Sequence, residues 1–186
     1  MTTWNWTLLR AGLMRLDGGG MFGVVPKSLW SKLMEPDEKN RISLQTNCLL
    51  LERNGRRVLI ETGCGDKWTD KERAIYGLER RCVLDALAER DVEPASIDRV
   101  IVTHLHFDHC GGSVQWNKNK TGYEPAFKNA RFWSNKDHWQ WATKPNRREK
   151  ASFLTENILP MQKSGQLNFV SPPNSSISNT NKVNDL

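Results

Sequence analysis

Apolar residues from 6 to 16 fall at roughly alternate positions, the two-residue period of a strand with one buried face. Asp17-Gly18-Gly19-Gly20 interrupts that run with a turn that needs backbone freedom. Residues 21–26 form a short apolar stretch ending at Pro26, and 28–34 have room for one or two helical turns. Two β-rich runs, 44–52 and 56–61, flank Asn54-Gly55, which predicts a hairpin. Thr62-Gly63-Cys64-Gly65 closes it with a glycine-rich loop. Residues 78–90 space Leu78, Cys82, Leu87 and Ala88 as one stripe of a helix. Residues 99–103 are a short β-branched strand. Beyond residue 129 the pattern predicts a strand at 130–134 and a helix at 135–142 capped by Asn135. A helix at 148–163 weakened by Pro160 and a last strand at 166–170 follow. Hairpins first, then strands alternating with helices, give a mixed α/β (α+β) class, with one domain over residues 1–170. Residues 171–186 read as a polar loop or tail, with 183–186 beginning a strand.

Composition narrows the class without naming a chemistry. A chain of 186 residues with 38% hydrophobic and 26% charged residues can bury one core. No apolar run reaches the ~18 residues needed to span a bilayer. Met1-Thr2-Thr3-Trp4-Asn5-Trp6 lacks the basic start and apolar stretch of a secretory signal, so a cytoplasmic location and no membrane partner are expected. Cys48, Cys64, Cys82 and Cys110 show no C-x-x-C spacing and read as reduced, packed thiols. Nine Lys and Arg against three acids between Lys118 and Lys150 account for the whole net charge of +6. No nucleic-acid motif accompanies this segment, so it reads as a solvated basic face.

The chemistry is concentrated in Thr103-His104-Leu105-His106-Phe107-Asp108-His109-Cys110-Gly111-Gly112, which holds three of the four histidines. Imidazole and carboxylate suit Zn²⁺ and related divalent ions. In an extended run His104 and His106 project to the same side, and Asp108 and His109 follow where Gly111-Gly112 turn the chain. The loop after a strand's C-terminal end is where open sheets build their sites.

Thr-His-x-His-x-Asp-His-x-Gly-Gly resembles the signature of the metallo-β-lactamase superfamily, an αββα sandwich. Residues 17–30 and 58–68 are similar to the branch containing quorum-quenching lactonases and organophosphate hydrolases. The resemblance implies a dinuclear zinc site in which His104 and His106 hold one ion and Asp108 and His109 the other. It implies a hydroxide between the ions as nucleophile, attacking a lactone, ester or related bond. Asp108 would also hold the nucleophile's proton. His109 after the aspartate is similar to lactonase, esterase, thioesterase and phosphodiesterase branches rather than to true β-lactamases. Glu61, where the family usually has aspartate, would support the histidine loop from behind. Met21 and Phe22 would wall the substrate pocket, or else pack in the core. A small-molecule substrate is the implied partner, and a homodimer stays open.

The family takes a third histidine, a bridging aspartate and a last histidine from its C-terminal half. Here only His138 follows His109, in a tryptophan-rich helical context that reads as surface or packing. The expectation is therefore half to two-thirds of the sandwich with an incomplete second sheet, and a site too poor in ligands for tight zinc binding or full activity. Two other functions stay open: a phosphodiesterase or nuclease on the same metals, and an inactive metal- or partner-binding module.

Overall fold

The long alternation near the N-terminus forms β1 (Asn5–Asp17) in a computed structural model that describes residues 3–170. The tail and strand start expected in 171–186 lie outside the described residues. Asp17-Gly18-Gly19-Gly20 is a helix start rather than a free turn: the Asp17 carboxylate accepts from the Gly20 amide at 2.7 Å and caps α1 (Gly18–Phe22). The short α2 (Lys27–Trp30) follows. The expected hairpin is β2 (Arg41–Arg53) and β3 (Arg56–Ile60), with Asn54 and Gly55 both at positive φ, 50° and 77°.

A helix absent from the expectation, α3 (Asp70–Tyr76), carries a complete capping box between Thr69 and Glu72 and stops at left-handed Gly77. That stop confines the next helix, expected over 78–90, to α4 (Val83–Ala88). Next come β4 (Arg99–Ile101), α5 (Phe107–Cys110) and an unexpected hairpin of β5 (Val114–Trp116) and β6 (Tyr123–Pro125). The described chain closes with β7 (Arg131–Asn135), α6 (Lys136–Thr143), α7 (Thr155–Lys163) and β8 (Leu167–Val170).

Six strands make one sheet in the order β1-β2-β3-β4-β7-β8, antiparallel up to β3 and parallel beyond it. Strand register decides which side chains share a face. Leu50, Leu59, Val100 and Phe132 are cross-strand neighbours, each at most 1% exposed, buried with Val83, Ala86, Leu87, Ile158 and Met161 of the helices. Leu8, Leu49, Ile60, Ile101 and Trp133 are aligned on the opposite face. There Leu8 is 47% exposed, and a groove of about 290 Å³ runs between Trp4, Leu51, Val58 and Trp133. Among the described residues no helix is long and apolar enough to cross a membrane. All nine basic residues of the 118–150 segment are exposed, which agrees with a solvated face.

Because β4 and β7 are parallel neighbours, the loop leaving β4 and the first turn of α6 emerge at the same end of the sheet. That end carries the histidines.

Candidate metal centre

Alternation inside the loop sorts its side chains. Leu105 and Phe107 are 0% and 6% exposed, while His104, His106, Asp108 and His109 are only partly buried. Phe107 anchors the segment edge-on against Trp68, with ring centroids 5.3 Å apart, and beside Tyr76. The imidazoles then gather on the other side. The His104 ring centre lies 3.8 Å from that of His109 and 4.7 Å from that of His106. The three rings thus form one cluster, with His104 nearer His109 than its alternate-position partner. Asp108 Oδ2 lies 3.4 Å from His109 Nε2.

Backbone geometry fixes the far side of the loop. The Gly63–Cys110 bridge runs parallel, Thr62 donates to the His109 carbonyl from both its amide (2.8 Å) and its hydroxyl (3.0 Å), and the Gly112 amide donates to Gly63 O. A Cβ on Gly112 would lie 2.2 Å from Thr62 O, and one on Gly111 equally close to Cys64 O, so the paired glycines let two backbones touch. The Lys67 ammonium donates to the carbonyls of Gly111 and Val114; burial pulls its pKa down to about 8. The Cys110 thiol donates to Leu105 O, and all four cysteines are free and buried, as expected of packed thiols.

Glu61 stands directly behind the cluster. Its Oε1 accepts from the Thr103 amide and its Oε2 meets His109 Nδ1, both at 2.7 Å. Two opposed effects act on His109. Burial disfavours its charge, but hydrogen bonds to Asp108 and Glu61 outweigh burial and raise its pKa to about 9. His104 moves the other way, to about 4, because burial and then the charges of His109 and His106 oppose its protonation. For Asp108, burial is outweighed by the hydrogen bond and charge of His109, and the carboxyl is held below its ordinary range.

A model of the metallo-β-lactamase superfamily matches residues 41–159, the span from β2 into α7 that contains this loop. The chain belongs to the metallo-β-lactamase superfamily. A probable metal-dependent hydrolase from Staphylococcus aureus superposes with a TM-score of 0.80 at 32% identity over 90% of this chain and 59% of its own. The dizinc quorum-quenching lactonase AidC, in complex with N-hexnoyl-L-homoserine, shares the fold with a TM-score of 0.65 at 17% identity, over 92% of this chain and 60% of its own. An N-acyl homoserine lactone hydrolase with N-hexanoyl-L-homoserine at its catalytic metal centre gives a TM-score of 0.64 at 21% identity, over 96% and 64%. This superfamily member thus spans about three-fifths of the length of the solved structures it matches.

The donor set of this superfamily member fits divalent ions in kind. His104 is a neutral imidazole near neutral pH, Asp108 is ionised, and the carboxylate behind His109 is the arrangement that orients a ligating imidazole. Among the described residues, however, no three or more His, Cys, Asp or Glu side chains surround a common point as a metal shell requires. Phe22 stacks on Trp30, with ring centres 5.1 Å apart, and Met21 is 50% exposed. His138, read from sequence as surface or packing, is half-buried, and its Nε2 accepts from the Leu105 amide at 2.8 Å. The available signal was its place three residues after a cap, in the helix following a strand parallel to β4.

Proposed function

We propose that this chain carries one side of a dinuclear zinc hydrolase site acting on a lactone, ester or related carbonyl compound. The reading rests on one observation. Three imidazoles and an ionised carboxylate cluster on the loop after β4, with Glu61 bonded to the far nitrogen of His109. Membership of the superfamily and the 32% identical protein described as a probable metal-dependent hydrolase support metal dependence. The lactone substrate is proposed from the lactonases that share the fold.

His104 and His106 would hold one ion, and Asp108 and His109 the second. When bound, divalent ions acidify water and polarise the carbonyl under attack. Glu61 keeps the Nδ1 proton of His109 engaged, so that loss of the Nε2 proton leaves that nitrogen's lone pair for an ion. Asp108, ionised and beside that nitrogen, can hold a proton delivered from the reacting water. Met21, half exposed, and Phe22, stacked on Trp30, are the residues proposed to wall the substrate side.

The test combines zinc uptake with turnover of a γ-lactone, an aryl ester and a phosphodiester. Weak zinc-dependent lactone or ester hydrolysis that disappears in Asp108→Asn is the expected result. Turnover of the phosphodiester alone would move the chain to the phosphodiesterase branch. Failure to take up zinc at millimolar concentration would end the hydrolase reading and leave a partner-binding module.

A further inference from the structure

The backbone of the ligand loop leaves the sheet just after β4: Val102 makes the last bond to β7, its amide donating to Trp133 O. Leu105 then turns its side chain into the core at 0% exposure, between the two outward histidines. Its amide has no strand to bond to. The partner is a side chain from 33 residues further on, His138 Nε2 at 2.8 Å. A ring nitrogen that accepts a hydrogen bond carries no proton, so the proton of neutral His138 sits on Nδ1. Both nitrogens are thereby committed, and the ring keeps no free lone pair for an ion.

His138 is itself held firmly. Asn135 Oδ1 accepts from the amides of Asp137 and His138 at 2.8 and 3.1 Å, which fixes the first turn of α6. Phe153 packs against both His106 and His138, with ring centres 4.6 and 5.7 Å away. A rigid helix start therefore reaches, through one imidazole, the peptide group joining His104 to Leu105, between the two histidines.

We propose that His138 is a positioning residue, which fixes the Leu105 peptide and through it the spacing of the His104 and His106 imidazoles, without contacting an ion. This rests on reading His104 and His106 as metal ligands. The experiment uses the full chain as wild type, His138→Ala and His138→Gln, whose carboxamide oxygen can accept the same amide. Hydrogen exchange at Leu105 is measured metal-free, and Co²⁺ affinity by spectroscopic titration. Expected in His138→Ala are about tenfold faster Leu105 exchange and roughly 10–100-fold weaker Co²⁺ binding. His138→Gln should restore both. Unchanged Leu105 exchange in His138→Ala would overturn the proposal, as would fast exchange with wild-type Co²⁺ affinity. Should His138→Ala not fold, His138→Leu supplies similar bulk without the acceptor. A wild type that takes up no Co²⁺ overturns the zinc reading instead. Positioning is then judged on the metal-free imidazole NMR signals of His104 and His106: shifted by His138→Ala and recovered by His138→Gln supports it, unmoved refutes it.

Discussion

Replacing Glu61 by glutamine keeps the shape of the side chain and removes its charge. The carboxylate is 12% exposed and makes two 2.7 Å bonds, to the Thr103 amide and to His109 Nδ1. A carboxamide can serve only one of these as acceptor. If its oxygen keeps Thr103, its NH₂ faces His109, whose Nδ1 must then give up its proton and accept, leaving the remaining proton on Nε2. That is the nitrogen proposed for the ion. Losing one charge-assisted bond costs about 1.5–3 kcal/mol, a fall of roughly 3–12 °C in Tm for a chain of this size. The tautomer shift adds a loss of zinc affinity of about 10–100-fold. Thermal unfolding of the metal-free protein reads the first quantity, and zinc titration against a competing chelator at pH 8 reads the second. Glu61→Gln with lowered Tm but wild-type zinc affinity would refute the orienting role and leave Glu61 as a loop staple.

Between pH 4 and 8, below the range where deprotonation of Lys67 adds stability, the metal-free protein should be most stable near pH 6.5. His109, raised to about 9 from 6.5, gives stability that is complete below 6.5 and lost as pH rises through 9. His104, lowered to about 4, gives stability that is present above 6.5 and lost as pH falls through 4. A flat urea midpoint between pH 6.5 and 9 would contradict the His109 part. Zinc uptake should strengthen as pH rises toward 9, because the ion displaces a proton from His109, and proton release on binding, measured calorimetrically, checks it. Gly112→Ala would place a methyl 2.2 Å from Thr62 O and should destabilise the fold by about 1–3 kcal/mol in urea unfolding; a smaller loss would show that the two loops can separate. The apolar sheet face carrying Leu49, Ile60 and Ile101 should bind a solvatochromic dye, and Ile60→Glu should reduce that signal more than Leu33→Glu, a change at a single exposed residue.

The alternation of residues 6–16 and the Asn54-Gly55 pair were readable because each is local: one period, one turn type. The helix at Asp70–Tyr76 was equally local, announced by Thr69 and Glu72, but its few apolar positions hid it from a periodicity reading. The β5–β6 hairpin was not local in that sense, since three-residue strands are too short to show a period. At the site, the clustered residues His104 to His109 were legible from spacing. Their supports were not, because Lys67 and His138 reach the loop only through tertiary packing. Glu61 was legible as a carboxylate behind the site, although nothing in its neighbours announces that it sits at φ 66°, where side chains other than Asn and Asp are seldom found.

The bonds that hold the histidine loop join residues far apart along the chain: Glu61 and Thr103 are separated by 42 positions, Thr62 and His109 by 47, and Leu105 and His138 by 33. Loop-closure entropy must be met before any of them forms, so the loop should acquire its final shape late in folding, after β7 and α6 have docked. An unfolded or nascent chain then offers an incoming ion neighbouring imidazoles with no fixed geometry. On the proposed metal-binding reading, metal capture becomes a report that folding of the described region has finished, and a chain that stalls before α6 docks should take up less zinc than the folded chain.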